Sequence, residues 1–97
     1  RATLLDWLPS DLSGQTLLDA GSGTGALAID AARRGARVVA IDVAANLVDV
    51  ARRRAEREGV ADAIDFRVGD MLLDAPEVVD HVVAMDSLIH YTPRDVL

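Results

Sequence analysis

Two clusters in this 97-residue chain have the residue types and spacing that chemistry needs. The first is Asp19-Ala20-Gly21-Ser22-Gly23-Thr24-Gly25, with Asp42 and Asp70 further along. Glycines at this density let the backbone turn sharply and let a ligand approach where a Cβ would collide. Gly21, Gly23 and Ala26 satisfy the pattern G-x-G-x-x-G/A, and Asp42, 21 residues past Gly21, suits a ribose diol. Loop and Asp42 together point to an adenosine-type ligand. Asp19 and Asp70 narrow the choice. A carboxylate at the mouth of the loop repels a pyrophosphate and welcomes a cation. The three acids suit a ligand with a ribose, an exocyclic amine and positive charge, and no phosphate. The second cluster is Asp86-Ser87-Leu88-Ile89-His90-Tyr91. There His90 and Tyr91 bring an imidazole and a phenol side by side.

The elements that must position these residues alternate between strand and helix. Thr16–Ala20 reads as a strand running into the glycines, and Thr24–Arg34 as a helix stopped by Gly35. Arg37–Asp42 is a β-branched strand. Ala44–Glu58 is the longest helix, with Leu47, Val48, Ala51 and Ala55 on its inner stripe and Gly59 ending it. Ala63–Val68 and Asp80–Met85 make a third and a fourth strand. Ala2–Leu8 reads as a short helix, and Thr92-Pro93 as the cap and first turn of another. Strands without alternation, separated by helices, predict an α/β fold with a doubly wound, Rossmann-like parallel sheet. Right-handed crossovers leave few topologies, and a sheet that extends outward from the first strand and then reverses has the strand order 3-2-1-4. The switch point then lies beside the C-terminal end of strand one, where the glycines are. The fourth strand is expected to be an unpaired edge.

Composition removes other classes. Half of the chain is apolar (51%), so intrinsic disorder is out. No apolar run approaches the ~18 residues of a membrane span. Without cysteine there are no disulfides, thiolate metal sites or cysteine nucleophiles. The net charge is −6 and every basic residue is arginine. Lacking a basic stripe, the chain is a poor nucleic-acid binder. Its sixteen alanines read as coding composition more than chemistry.

The motifs carry a family resemblance across nearly the whole chain. Leu17-Leu18-Asp19-Ala20-Gly21-Ser22-Gly23-Thr24-Gly25 resembles the first motif of class I S-adenosylmethionine-dependent methyltransferases. Val38-Val39-Ala40-Ile41-Asp42 is similar to their second motif, and Val68-Gly69-Asp70-Met71 to their third. The resemblance implies S-adenosylmethionine as cofactor. Gly21, Ser22, Gly23 and Gly25 would back its methionine part, with Asp19 near the amino group. Asp42 would take the ribose hydroxyls, Asp70 the adenine amine, and Met71 would lie against the adenine ring; Asp86 joins the cofactor contacts. Asp86–Tyr91, with Asp6-Trp7-Leu8-Pro9, resembles magnesium-protoporphyrin IX O-methyltransferases of chlorophyll and bacteriochlorophyll synthesis. That implies a magnesium porphyrin as the small-molecule acceptor, esterified at a propionate, with His90 and Tyr91 positioning it. Residues 1–97 would then be the N-terminal, cofactor-binding part of a single methyltransferase domain. It would be cytoplasmic, with room for a peripheral contact to a photosynthetic membrane or a pathway enzyme.

Rival readings follow from the same residues. Within enzymes, the acceptor could be another small acid or a quinone precursor. Outside them stand a nicotinamide-binding Rossmann domain, favoured by the G-x-G-x-x-A match, and a cofactor-binding module without an acceptor site. Plainer uses exist as well. Asp19 could fasten the glycine turn by accepting backbone N–H groups, and Asp42 and Asp70 could be loop or cap residues. Arg52-Arg53-Arg54 and Arg57, interrupted by Glu56 and Glu58, read as a solvated helix face. His81 reads as a packed strand residue, and Asp65 and Asp80 as strand-edge solvation.

Overall fold

The computed structural model describes residues 9–70, 79–84 and 90–91. Strand β1 is Thr16–Ala20, helix α1 Ala26–Arg33, β2 Arg37–Asp42 and α2 Ala45–Arg57. A 3-10 turn, Ala61–Ala63, leads into β3 at Ile64–Val68, followed by β4 at His81–Ala84 and β5 at His90–Tyr91. The sheet order is β3-β2-β1-β4-β5. The first four strands are parallel and in the expected order. The expected bare edge is corrected, because β5 pairs antiparallel with β4, Val82 opposite Tyr91 and Val83 opposite His90.

Each helix is shorter than its apolar pattern. Gly25, the residue before α1, has φ 88°, a left-handed value that no helix continues, so α1 starts at Ala26 and not Thr24. Ala44 is extended, which moves the start of α2 to Ala45. Both helices close in a Schellman motif. Ala36 N–H donates to the Ala31 carbonyl and Gly35 N–H to that of Ala32; Val60 and Gly59 repeat the pattern on Ala55 and Glu56.

Alternation along the strands sorts the core onto two faces. Leu17, Val38, Ala40 and Val83 point to the face that carries both described helices, where they meet Ala28, Ile29, Ala31 and Ala55. Leu18, Val39, Ile41 and Val82 form the other cluster, with Val79. Seven buried alanines belong to this core, so alanine is a packing choice as well as a compositional one. Small side chains let the helices sit close to the sheet. On edge strand β3, Asp65 and Arg67 form an ion pair at 2.8 Å, the kind of charge that discourages further strand pairing. The predicted helix at Ala2–Leu8 and the turn at Thr92-Pro93 lie outside the described residues. No described helix is long and apolar enough to cross a membrane.

Candidate functional site

Parallel pairing places the C-terminal ends of β1, β2 and β3 side by side. Asp19 sits opposite Ala40, and Asp42, the last residue of β2, opposite Val68. The glycine loop crosses this end and is fastened to β2. The Ile41 carbonyl accepts the Gly21 N–H at 2.7 Å and the Ser22 N–H at 3.1 Å. Asp42 Oδ2 accepts the Gly23 N–H, and its Oδ1 accepts the Ala44 N–H, both at 2.9 Å. Inside the loop, Gly25 N–H donates to the Ser22 carbonyl at 3.0 Å. A Cβ at Gly25 would lie 2.9 Å from the Ala51 Cβ, so only glycine lets α2 back the loop this closely.

The two buried aspartates differ. Asp42 engages both oxygens with backbone, so the plain role considered for Asp19, holding the glycine turn, falls to Asp42 instead. Asp19 is 3% exposed, and its Oδ2 is buried without a hydrogen-bond partner. Burial pushes its carboxyl up to about 7, with the neighbouring Asp42 carboxylate adding to the rise. Ser22 Oγ is likewise buried and unpartnered. Unmatched buried polar atoms cost about 1–3 kcal/mol each, so both favour a ligand that brings hydrogen-bond donors or acceptors to them.

Other expected positions are placed less tightly. Asp70 is exposed just beyond β3, where Gly69 N–H reaches the Asp42 carbonyl at 3.0 Å. His90 pairs with Val83, which pairs with Asp19, so His90 stands at the level of Asp19 two strands away. Tyr91 is the next residue, opposite Val82. Met71 and Asp86 lie outside the described residues. His81 is buried as expected, its Nε2 against Gln15 Oε1. The arginines of α2 form the expected solvated face, Arg53 with Asp49 and Arg54 with Glu58, while Arg52 lies over the Phe66 ring. Asp80 departs from expectation: its Oδ2 accepts the Thr16 N–H at 2.8 Å and ties down the start of β1. Sequence reasoning missed the Ile41 carbonyl and Ala51. Ala51 left a signal, a small residue on the inner stripe one helix away from a glycine loop.

The family model for a methyltransferase domain matches residues 17–97. The chain belongs to this methyltransferase family. The methyltransferase chain is 47% identical over 96 residues to the magnesium-protoporphyrin O-methyltransferase of Rhodobacter capsulatus, covering 99% of this chain and 42% of that protein. It is 44% identical over 86 residues to the ubiquinone biosynthesis O-methyltransferase of Methylocella silvestris, covering 87% of this chain and 33% of that one. It thus spans less than half the length of these curated relatives. Among solved structures, it is similar to an RNA methyltransferase from Salinibacter ruber in complex with S-adenosyl-L-homocysteine. The TM-score is 0.72 at 38% identity, over 84% of this chain and 53% of that one.

Proposed function

We propose that residues 1–97 are the N-terminal, cofactor-binding part of a single S-adenosylmethionine-dependent methyltransferase domain. The observation that carries this reading is the pair of unpartnered buried atoms, Asp19 Oδ2 and Ser22 Oγ, beside the glycine loop. An α-ammonium group has three donors and a positive charge, which fits both atoms. A pyrophosphate could accept the Ser22 hydroxyl but offers Asp19 neither donor nor positive charge, which disfavours the nicotinamide alternative. Asp42 has lone pairs left for ribose hydroxyls after accepting two backbone N–H groups. Asp70 and Met71 complete the proposed contacts at the adenine end, and Asp86 joins the cofactor contacts.

When bound, the cofactor supplies an electrophilic methyl group on its sulfonium. The chain's own work is then positioning and exclusion of water. Identity to the Rhodobacter capsulatus enzyme supports a porphyrin acceptor, namely a propionate of magnesium-protoporphyrin IX converted to its methyl ester. Such a carboxylate is already ionised near neutral pH and needs no general base. His90 and Tyr91 serve in this reading as acceptor-positioning residues. The likeness to a ubiquinone biosynthesis enzyme supports a second reading, a quinone-precursor acceptor.

Calorimetric titration with S-adenosylhomocysteine and with NAD tests the cofactor: binding of the first alone is expected, and binding of NAD alone overturns the proposal. Labelled methyl transfer to magnesium-protoporphyrin IX, run beside a phenolic quinone precursor, tests the acceptor. Transfer to the porphyrin is expected. Transfer to the phenol alone replaces that acceptor with the second.

A further inference from the structure

Asp42 occupies an unusual position for a side chain assigned to a ribose. Its two oxygens already accept the N–H groups of Gly23 and Ala44, 2.9 Å away in each case. Gly23 lies at the centre of the loop assigned to the methionine end of the cofactor, and Ala44 is the cap of α2. One buried carboxylate therefore bridges the loop, the end of β2 and the helix behind both. Ala51 of that same helix lies against Gly25, so α2 backs the loop that Asp42 pins. We propose that Asp42 is a positioning residue for the glycine loop, coupling the methionine end of the cofactor site to the ribose end. This rests on the cofactor reading above and goes beyond it: a residue that touches only the ribose governs how well the far end of the ligand is held.

The two roles separate on a ligand without ribose hydroxyls. If Asp42 acted only through those hydroxyls, a 2′,3′-dideoxy form of S-adenosylhomocysteine would leave a buried carboxylate facing carbon. Neutralising Asp42 would then leave its affinity unchanged or improve it. If Asp42 positions the loop, Asp42→Asn must weaken even this ligand, because asparagine has one acceptor oxygen where two N–H donors need one each. The expected loss on the dideoxy ligand is about threefold to tenfold, that of one net hydrogen bond.

The measurement is calorimetry on wild type and Asp42→Asn with S-adenosylhomocysteine and its dideoxy form. It is joined by amide exchange at Gly23 in the ligand-free protein. Weaker binding of both ligands by Asp42→Asn, with a Gly23 amide protected in wild type and released in the variant, supports the proposal. Equal or tighter dideoxy binding by the variant overturns it and leaves the cofactor reading standing, as does a Gly23 amide unprotected in wild type. Absence of any S-adenosylhomocysteine binding by wild type overturns the cofactor reading, and this inference with it.

Discussion

The two ends of the parallel sheet treat their polar groups in opposite ways. At the N-terminal end of β1, Thr16 N–H donates to Asp80 Oδ2 and the Thr16 carbonyl accepts the Asp80 N–H, each at 2.8 Å. Beside them, Gln15 faces His81, and the Gln15 carbonyl accepts the Arg37 N–H. Three residues along β1 from Thr16, Asp19 has a buried oxygen with no partner. Both ends hold an aspartate close to β1, yet one is satisfied by the fold and the other keeps a buried oxygen without a partner. Stability and ligand affinity should therefore respond separately to changes at the two ends.

The largest effects come from a pair of glycines. A Cβ at Gly25 would meet Ala51, and one at Gly35 would lie 2.7 Å from Ser13 Oγ and 3.0 Å from its Cα; both glycines have positive φ. Gly25→Ala and Gly35→Ala should each cost about 2–4 kcal/mol of stability by denaturant unfolding. In folded protein, only Gly25→Ala should also weaken S-adenosylhomocysteine binding. Equal affinities in the two variants would erase the contrast.

Asp19 supplies the next test. Its folded pKa of about 7 lies above that of an unfolded aspartate, so the native state binds the extra proton between these values. The contribution of Asp19 to stability is thus full at acidic pH and is lost as pH rises towards 7. Ligand-free protein should be about 2–3 kcal/mol less stable at pH 8 than at pH 5 on this account. Asp19→Asn should remove that part of the fall. It should also weaken S-adenosylhomocysteine binding roughly 10–100-fold, the worth of one charged hydrogen bond, and flatten the gain in affinity on passing pH 7. A variant that keeps both the pH slope and the affinity would refute the ligand role.

Asp80→Ala, at the closed end, should cost about 1–2 kcal/mol in thermal unfolding and leave the dissociation constant unchanged. A change in affinity there would join the two ends energetically. The smallest effect belongs to Arg53→Ala, whose exposed pair with Asp49 is worth under about 0.5 kcal/mol.

Much of this was legible before any coordinates. The glycine spacing and the acids at 19 and 42 pointed to the candidate site, because each motif is local and ends a strand. Alternation of elements and crossover handedness left few strand orders, and the one that extends from β1 and then reverses is the one observed. What stayed hidden depends on residues far apart in the chain. The Asp42–Gly23 bond spans 19 positions and the Asp80–Thr16 bond spans 64, and no local pattern announces either. An aspartate looks the same in sequence whether or not backbone N–H groups engage its oxygens, so assigning the loop-holding role to Asp42 and not Asp19 needed geometry. The antiparallel β5 was hidden for another reason: two residues carry too little alternation to read as a strand.

The grip of the Ile41 carbonyl on two successive loop amides has a consequence for engineering. That anchorage is written in the main chain: the carbonyl at 41 is present whatever its side chain, and the N–H at 22 is present for every residue but proline. Side chains other than proline at position 22 can therefore be varied without removing the main-chain bonds that tie the loop to its strand.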